Sequence, residues 1–364
     1  MYRFVSDVVV GDAYLCPMFD NTDRTEISAL GEFGLIQHLS QHFESKHPKT
    51  IKGIGDDCAV IDQGDHFSLV STDLLLEGVH FDLSFHPLKH LGYKAITVAV
   101  SDIYAMNGMA EQVMVGLGIS NRFSLEAVEE LYSGMQIACE QLGVDLVGGD
   151  TTSSRSGLVI SMTAVGRVAK DKVVYRGGAK PGDLLVVSGD LGGAYMGLQI
   201  LEREKRVFME VPNMQPDLEQ YDYIVGRQLK AEARKDVIEL LKILDVKPSS
   251  MMDVSDGVAS ELYHMAKANG FGFHVYEEKL PIDPQTLDTA LSFDLNPSVV
   301  ALNGGEDYEL LFTVAQSDYE KIKTMPDFTV IGYVTDVTSK NMLLTKSGNQ
   351  FEIKAQGWPE SQKD

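Results

Sequence analysis

Residues Gln112–Val147, QVMVGLGISNRFSLEAVEELYSGMQIACEQLGVDLV, decide the fold class. Gln112–Ile119 reads as a strand. Ser124 then offers a hydroxyl to the free amides of a helix start, with Glu126 in the first turn. Leu125, Val128, Leu131, Met135 and Leu142 recur on one helical face, and Gly143 supplies the residue that ends such a helix. Val144–Val147 returns to strand character. Strand, helix and strand in direct succession describe neither an all-α nor an all-β chain.

Working outward, the same mixture continues on both sides. Towards the N-terminus, Leu88–Met106 predicts a helix with Leu91, Ala95, Val98, Ala99 and Ile103 on one face. Phe67–Leu76 predicts a strand, and Phe33, Ile36, Leu39 and Phe43 mark a short amphipathic helix. Residues 1–30 carry little pattern and read as an extension. Towards the C-terminus, Leu158–Val168 is a strand, and Lys180-Pro181-Gly182-Asp183 has proline and glycine where a type II turn needs them. The domain boundary is expected just before that turn, giving domains at 31–170 and 171–364. Beyond it the expected order is strand Leu184–Ser188, helix Ala194–Glu202 and a polar insertion at 203–224. Helix Lys230–Leu244, strand Met251–Val254 and helix Ala259–Ala268 follow, then strands at 272–276, 309–314 and 328–334. The expected class is α/β (α+β), in two domains.

The 364 residues, 44% hydrophobic, suffice for two ordinary domains. With 23% charged and 8% aromatic residues, global disorder and fibrous repeats are excluded. The net charge of −22 repels a nucleic-acid backbone, so no nucleic-acid partner is expected. An acidic protein that handles phosphates needs divalent cations between the two. Cys16, Cys58 and Cys139 form no CxxC pair, which suits a reducing compartment. Val8–Val10 is flanked by Asp7 and Asp12, unlike a signal peptide, and no apolar run reaches the length of about 18 residues that a membrane span needs. A cytoplasmic protein with no membrane partner is expected.

Acidic residues set among Gly, Ser and Thr follow apolar runs repeatedly. They are Gly55-Asp56-Asp57, Ser71-Thr72-Asp73, Ser101-Asp102, Gly148-Gly149-Asp150-Thr151, Asp253-Val254-Ser255-Asp256-Gly257 and Gly304-Gly305-Glu306-Asp307. Any one is an ordinary turn sequence. Their recurrence is not, because small neighbours admit a ligand to the backbone, and carboxylates with hydroxyls form the hard oxygen set of Mg²⁺. A P-loop, a GxGxxG fingerprint, HExxH and GxSxG are all absent from the sequence. A nucleotide here would be held through carboxylate-bound Mg²⁺.

In order, these motifs resemble the thiamine-monophosphate kinase family. Glu32-Phe33, Gly55-Asp56-Asp57-Cys58-Ala59, Ser71-Thr72-Asp73 with Gly78-Val79-His80-Phe81, and Val100-Ser101-Asp102-Ile103 come first. Gly148-Gly149-Asp150-Thr151-Thr152, Arg176-Gly177-Gly178-Ala179-Lys180-Pro181-Gly182-Asp183, Ser255-Asp256-Gly257 and Gly304-Gly305-Glu306-Asp307-Tyr308-Glu309-Leu310 continue the pattern. The resemblance runs from about Gly31 to the C-terminus. The extension before it, the 203–224 insertion and Gly226–Arg234, which lacks an expected proline-rich string, depart from it.

The resemblance implies the aminoimidazole-ribonucleotide synthetase-like fold, with an N-terminal α+β domain that dimerises through its sheet and a C-terminal α/β domain. It implies phosphorylation of thiamine monophosphate to thiamine diphosphate by ATP, in one direct transfer with several Mg²⁺ ions, the last step in making that diphosphate. It implies a homodimer. By motif position the metal ligands would be Asp57, Ser71, Thr72, Asp73, Asp102, Asp150, Asp253 and Asp256, with Asp57, Asp73, Asp102 and Asp150 catalytic. ATP would meet Tyr132, Gly149, Asp150, Arg176 and Ser255, and thiamine monophosphate would meet His80, Glu306 and Trp358. The rival readings are another ATP-dependent synthetase of the superfamily, a Mg²⁺-dependent phosphohydrolase and a non-catalytic scaffold. Cys16 lacks the Gly-rich setting that a selenophosphate synthetase would need.

Overall fold

The computed structural model describes residues 30–211, 216–336 and 340–355. Glu44–Gln356 is one compact unit and holds every element but α1 (Gly31–Ser40). Helix α1 forms where Ile36 and Leu39 predict it, but both are exposed, as is Phe43.

The first sheet contains β1 (Thr50–Lys52), β2 (Ala59–Asp62), β3 (His66–Leu76), β4 (Met109–Ile119), β5 (Asp145–Ser153) and β6 (Val159–Ala169). Its order is β1-β2-β3-β6-β4-β5, antiparallel except where β5 lies parallel to β4. A parallel neighbour requires a crossover, which α3 (Leu125–Leu142) provides between them. The termini of α3 follow the sequence reading. The Ser124 hydroxyl accepts the Ala127 amide, and Gly143 takes a left-handed conformation with φ 69°. Helix α2 (Leu88–Ala105) packs tightly against α3, because a Cβ at Gly92 would lie 1.9 Å from the Leu131 carbonyl oxygen and one at Gly134 1.8 Å from that of Lys89.

The second sheet contains β7 (Leu184–Ser188), β8 (Ser250–Asp253), β9 (Phe273–Tyr276), β10 (Leu310–Val314), β11 (Phe328–Val334), β12 (Met342–Leu344) and β13 (Gln350–Glu352). Its order is β13-β12-β9-β11-β7-β10-β8, with only β9 and β12 parallel among its pairs. Around it lie α4 (Gly193–Glu210), α5 (Asp222–Leu229), α6 (Lys235–Ile243), α7 (Val258–Asn269), α8 (Pro284–Ser292), α9 (Pro297–Asn303) and α10 (Tyr319–Ile322). Helix α2 also meets β8, and one apolar core runs from Leu69, Ile96 and Ile160 into Val186, Met251 and Phe312. The two sheets therefore share packed side chains, and α2 lies at their junction.

Most described residues of the 203–224 region, expected as a polar insertion, are helical. Helix α4 continues to Glu210, since Glu202–Arg206 is a run of good helix formers whose charges sit on a partly solvated face. The helix expected over Lys230–Leu244 forms only over α6, Lys235–Ile243; a separate helix, α5, ends before it at Leu229, and residues 230–234 between them are not helical.

Candidate active site

Three carboxylates from separate elements meet beside α2. Asp57 precedes β2, Asp102 lies on α2 and Asp253 ends β8, and one oxygen from each falls within 4.8 Å of the others. Ser101 Oγ donates to Asp253 Oδ2 at 2.6 Å. Arg176 donates to Asp57 Oδ1 from Nη2 at 2.8 Å and Nε at 3.2 Å. Asp57 Oδ2 and Asp73 Oδ2 are buried and have no hydrogen-bond partner among the described residues. Buried oxygens of that kind are rare unless something else satisfies them.

Burial sets the electrostatics. It lifts Asp253 from the ordinary carboxylate range to about 7, with the Asp57 charge adding to it, and lifts Asp73 to about 6. Asp102 is raised well above its usual value by burial first, then by the charges of Asp253, Asp73 and Asp57. Asp57 is also raised by burial, against the pull of Arg176. Such a cluster takes up protons unless a cation neutralises it. All-oxygen donors, mutual proximity and two unsatisfied oxygens fit Mg²⁺, which prefers carboxylates shared with phosphates to an all-protein cage.

The surrounding loops are tied down by their backbones. The Arg176 carbonyl accepts Ser250 Oγ at 2.5 Å and Asn269 Nδ2 at 2.9 Å. Asn269 Oδ1 in turn accepts the amides of Gly178 at 2.6 Å and Ala179 at 2.8 Å. Asp56 Oδ1 accepts the Arg176 amide at 3.1 Å. Glu261, buried on α7, accepts the Asp256 amide at 3.0 Å. The Glu306 amide donates to the Ser255 carbonyl at 2.6 Å, and that of Tyr308 to Val254 at 2.8 Å. Those two bonds hold a backbone that is left-handed at Gly305, Glu306 and Tyr308, with φ of 71°, 56° and 52°. Non-glycine residues keep such geometry only where neighbours enforce it.

The structure thus gathers Asp57, Asp102 and Asp253, with the Asp73 charge acting on Asp102 and Asp253 and with Arg176 bound to Asp57. It joins Val254 and Ser255 to the Glu306 loop and ties the Asp256 amide to Glu261. Ser71 is buried, and its hydroxyl donates to the Ala99 carbonyl of α2 at 3.1 Å. Thr72, next along β3, faces the other side of the sheet and bonds the Met162 carbonyl at 2.9 Å. Gly149 and Asp150 lie on β5, exposed throughout its length. A Cβ at Gly149 would lie 1.9 Å from the Val115 carbonyl oxygen, so this glycine also has a packing reason. Tyr132, half-buried on α3, lines an open groove of about 750 Å³ with Gln136, Cys139, Asp145 and Leu146. His80 is exposed after β3, and its Nδ1 accepts the Leu76 amide at 3.0 Å. Trp358 lies outside the described residues.

Lys94, Gln228, Glu261 and Asn269 hold these groups and were missed by sequence reasoning, while Ser101, quoted in the Ser101-Asp102 motif, was given no role of its own. Of the missed residues only Lys94 left a trace, as a polar residue on the apolar helix α2.

The chain is similar to known proteins over most of its length. Residues 55–168 match the N-terminal domain of AIR synthase related proteins, and residues 180–344 match their C-terminal domain. A curated thiamine-monophosphate kinase of Bacillus subtilis is 32% identical over 336 residues, covering 90% of this chain and 99% of the relative. That of Aquifex aeolicus is 34% identical over 311 residues, covering 85% and 93%. A solved structure of AaThiL complexed with AMPPCP and TMP superposes with a TM-score of 0.77 at 32% identity, over 93% of this chain and 99% of that one.

Proposed function

The chain belongs to the thiamine-monophosphate kinase family, and we propose that it transfers the γ-phosphoryl group of ATP to thiamine monophosphate at the carboxylate cluster beside α2. The products are thiamine diphosphate and ADP. The observation that carries this reading is the convergence of Asp57, Asp102 and Asp253 within 4.8 Å, with buried carboxylate oxygens left unsatisfied. Asp57, Asp73, Asp102 and Asp253 would hold Mg²⁺, with Ser71, Thr72, Asp150 and Asp256 joining by motif position. Bound there, Mg²⁺ neutralises phosphate charge and polarises the phosphoryl oxygens.

The chain's own groups bind and orient. Arg176 offers a planar fork suited to a phosphate, and its backbone is fixed by Ser250 and Asn269 whatever its side chain does. Tyr132, Gly149, Asp150 and Ser255 complete the ATP contacts, and His80, Glu306 and Trp358 take the acceptor. The transfer is direct and in line. Cys58 adjoins Asp57, but burial and the surrounding carboxylates push its thiol well up, which removes it as a nucleophile.

The same proposal includes the division at residue 170, which falls between the two sheets, and a homodimer built on the first sheet. Leu74 and Met114 are exposed on that sheet, as are Leu146 and Val147 on its edge strand β5. It also includes a cytoplasmic location, consistent with free thiols at Cys58 and Cys139. Among the described residues no helix is long and apolar enough to cross a membrane. Incubating the purified protein with ATP, Mg²⁺ and thiamine monophosphate tests the reading. Thiamine diphosphate formed in step with ADP is the expected result; phosphate release that ignores thiamine monophosphate would instead favour a phosphohydrolase.

A further inference from the structure

Lys94 is 0% exposed, in the middle of α2. A buried ammonium persists only where acceptors surround it. Here Nζ donates to Glu306 Oε2 at 3.0 Å and to the Gln228 carbonyl at 3.3 Å. Gln228, itself buried on α5, sends its Nε2 to the same Glu306 oxygen at 2.9 Å. Both bonds to the carboxylate fall on Oε2, while the Glu306 side chain keeps 29% of its surface exposed. Oε1 therefore retains its lone pairs for something outside.

Ser101 is placed seven residues further along the same helix, where it bonds Asp253. Seven residues are close to two turns, so Lys94 and Ser101 share a face and stand about 10.5 Å apart along the axis. One rigid helix thus grips the Glu306 loop at one point and the carboxylate cluster at another.

We infer that Lys94 is a positioning residue for the acceptor substrate. With Gln228 it immobilises the Glu306 carboxylate so that Oε1 meets the cationic thiazolium ring, at a separation from the carboxylate cluster that α2 sets. The substrate carries a fixed positive ring joined to a phosphate by a short tether, so one negative group at a fixed distance from a phosphate-binding cluster suits both of its ends. Without Lys94 the Glu306 carboxylate loses the charged donor that fixes Oε2 and swings away, which removes the match. This inference rests on the reading that Glu306 contacts thiamine monophosphate.

Steady-state kinetics of Lys94→Met, Gln228→Met, Glu306→Gln and the double variant Lys94→Met/Glu306→Gln test it, with folding checked by circular dichroism. Each single variant is expected to raise KM for thiamine monophosphate by about tenfold, with kcat and KM for ATP held within about twofold. Because Lys94 acts through Glu306, the double variant is expected to be no worse than Glu306→Gln alone. Additive losses in the double variant, an unchanged KM in folded Lys94→Met, or equal damage to kcat and both KM values overturns the inference. Should Lys94→Met fail to fold, the cycle of Gln228→Met with Glu306→Gln decides by the same criteria. An unchanged KM in Glu306→Gln itself overturns the reading of Glu306, a failure distinct from that of Lys94.

Discussion

Arg176 places two nitrogens on one oxygen of Asp57, at 2.8 and 3.2 Å, while the other oxygen of the same carboxylate is buried with no partner among the described residues. The guanidinium occupies the ground that a metal and a phosphate would contest. Its carbonyl and amide are held separately, by Ser250 and Asn269 and by Asp56. The side chain is therefore free to change partners without the loop moving.

Arg176→Ala is accordingly expected to raise KM for ATP and to lower thermal stability most when Mg²⁺ is absent. Removing one partner of a buried ion pair costs about 3–5 kcal/mol when the other charge is left uncompensated. Mg²⁺ can replace the lost countercharge, so melting curves with and without it should diverge more in the variant than in the wild type. Equal divergence in both proteins would show that Arg176 and the metal do not share Asp57.

Asp102→Asn is expected to abolish turnover while leaving the fold intact or slightly firmer in the absence of metal. Its carboxyl is raised well above the usual range by burial and by Asp253, Asp73 and Asp57, so a neutral isostere resembles the metal-free state. With substrates bound, the missing negative charge weakens cation binding where phosphate charge develops. Loss of one such stabiliser costs roughly 10²–10³ in kcat. A folded Asp102→Asn enzyme with wild-type kcat would contradict the assignment.

The sequence showed most of the fold because its punctuation is local. Ser124 and Gly143 bound α3 as expected, and the turn at Lys180-Pro181-Gly182-Asp183 closes with the Asp183 amide on the Lys180 carbonyl at 2.9 Å. Helices α8 and α9 went unread although Asp283-Pro284 and Asn296-Pro297 are a cap followed by a first-turn proline in each. The acidic motifs were legible because Asp, Gly and Ser cluster in the chain. Lys94, Gln228 and Glu261 were not, because each acts on a partner at the far end of a tertiary contact or on a loop whose path is set by the fold. Strand alternation puts Ser71 and Asp73 on one face of β3 and Thr72 on the other, where its hydroxyl donates to the Met162 carbonyl.

Mg²⁺ affinity is expected to rise with pH between about 5 and 8, with protons released on binding, because the metal needs ionised carboxylates. Asp253 and Asp73 titrate near 7 and 6 in the metal-free fold, above the value of 3.8 that they take when unfolded. Between those values the folded state binds more protons than the unfolded one. Metal-free stability is therefore fully present below pH 3.8 as far as these two groups are concerned, and is lost as pH rises through 6 to 7. Calorimetric titration with Mg²⁺ in buffers of different ionisation enthalpy measures the released protons. Binding that is flat across this range would remove Asp253 and Asp73 from the metal site.

Transfer is expected to proceed through a ternary complex with inversion at phosphorus. A covalent phosphoenzyme would need a nucleophile among the cluster, and the candidates there are poor. Cys58 has its thiol raised by burial, Asp102, Asp57 and Asp253 in that order, and its backbone lies against Met106 Sδ at 3.1 Å in the core. Asp57 is committed to Arg176 on one oxygen, and a carboxylate engaged with a cation attacks phosphorus weakly. With neither Cys58 nor Asp57 free to accept the phosphoryl, the acceptor oxygen itself must lie opposite the leaving ADP, and one displacement inverts the centre. Chiral thiophosphate analysis should find inversion and initial-rate patterns should intersect. Retention of configuration, or a labelled enzyme formed from ATP alone that passes its label to thiamine monophosphate, would require a double displacement and a nucleophile that this cluster does not offer.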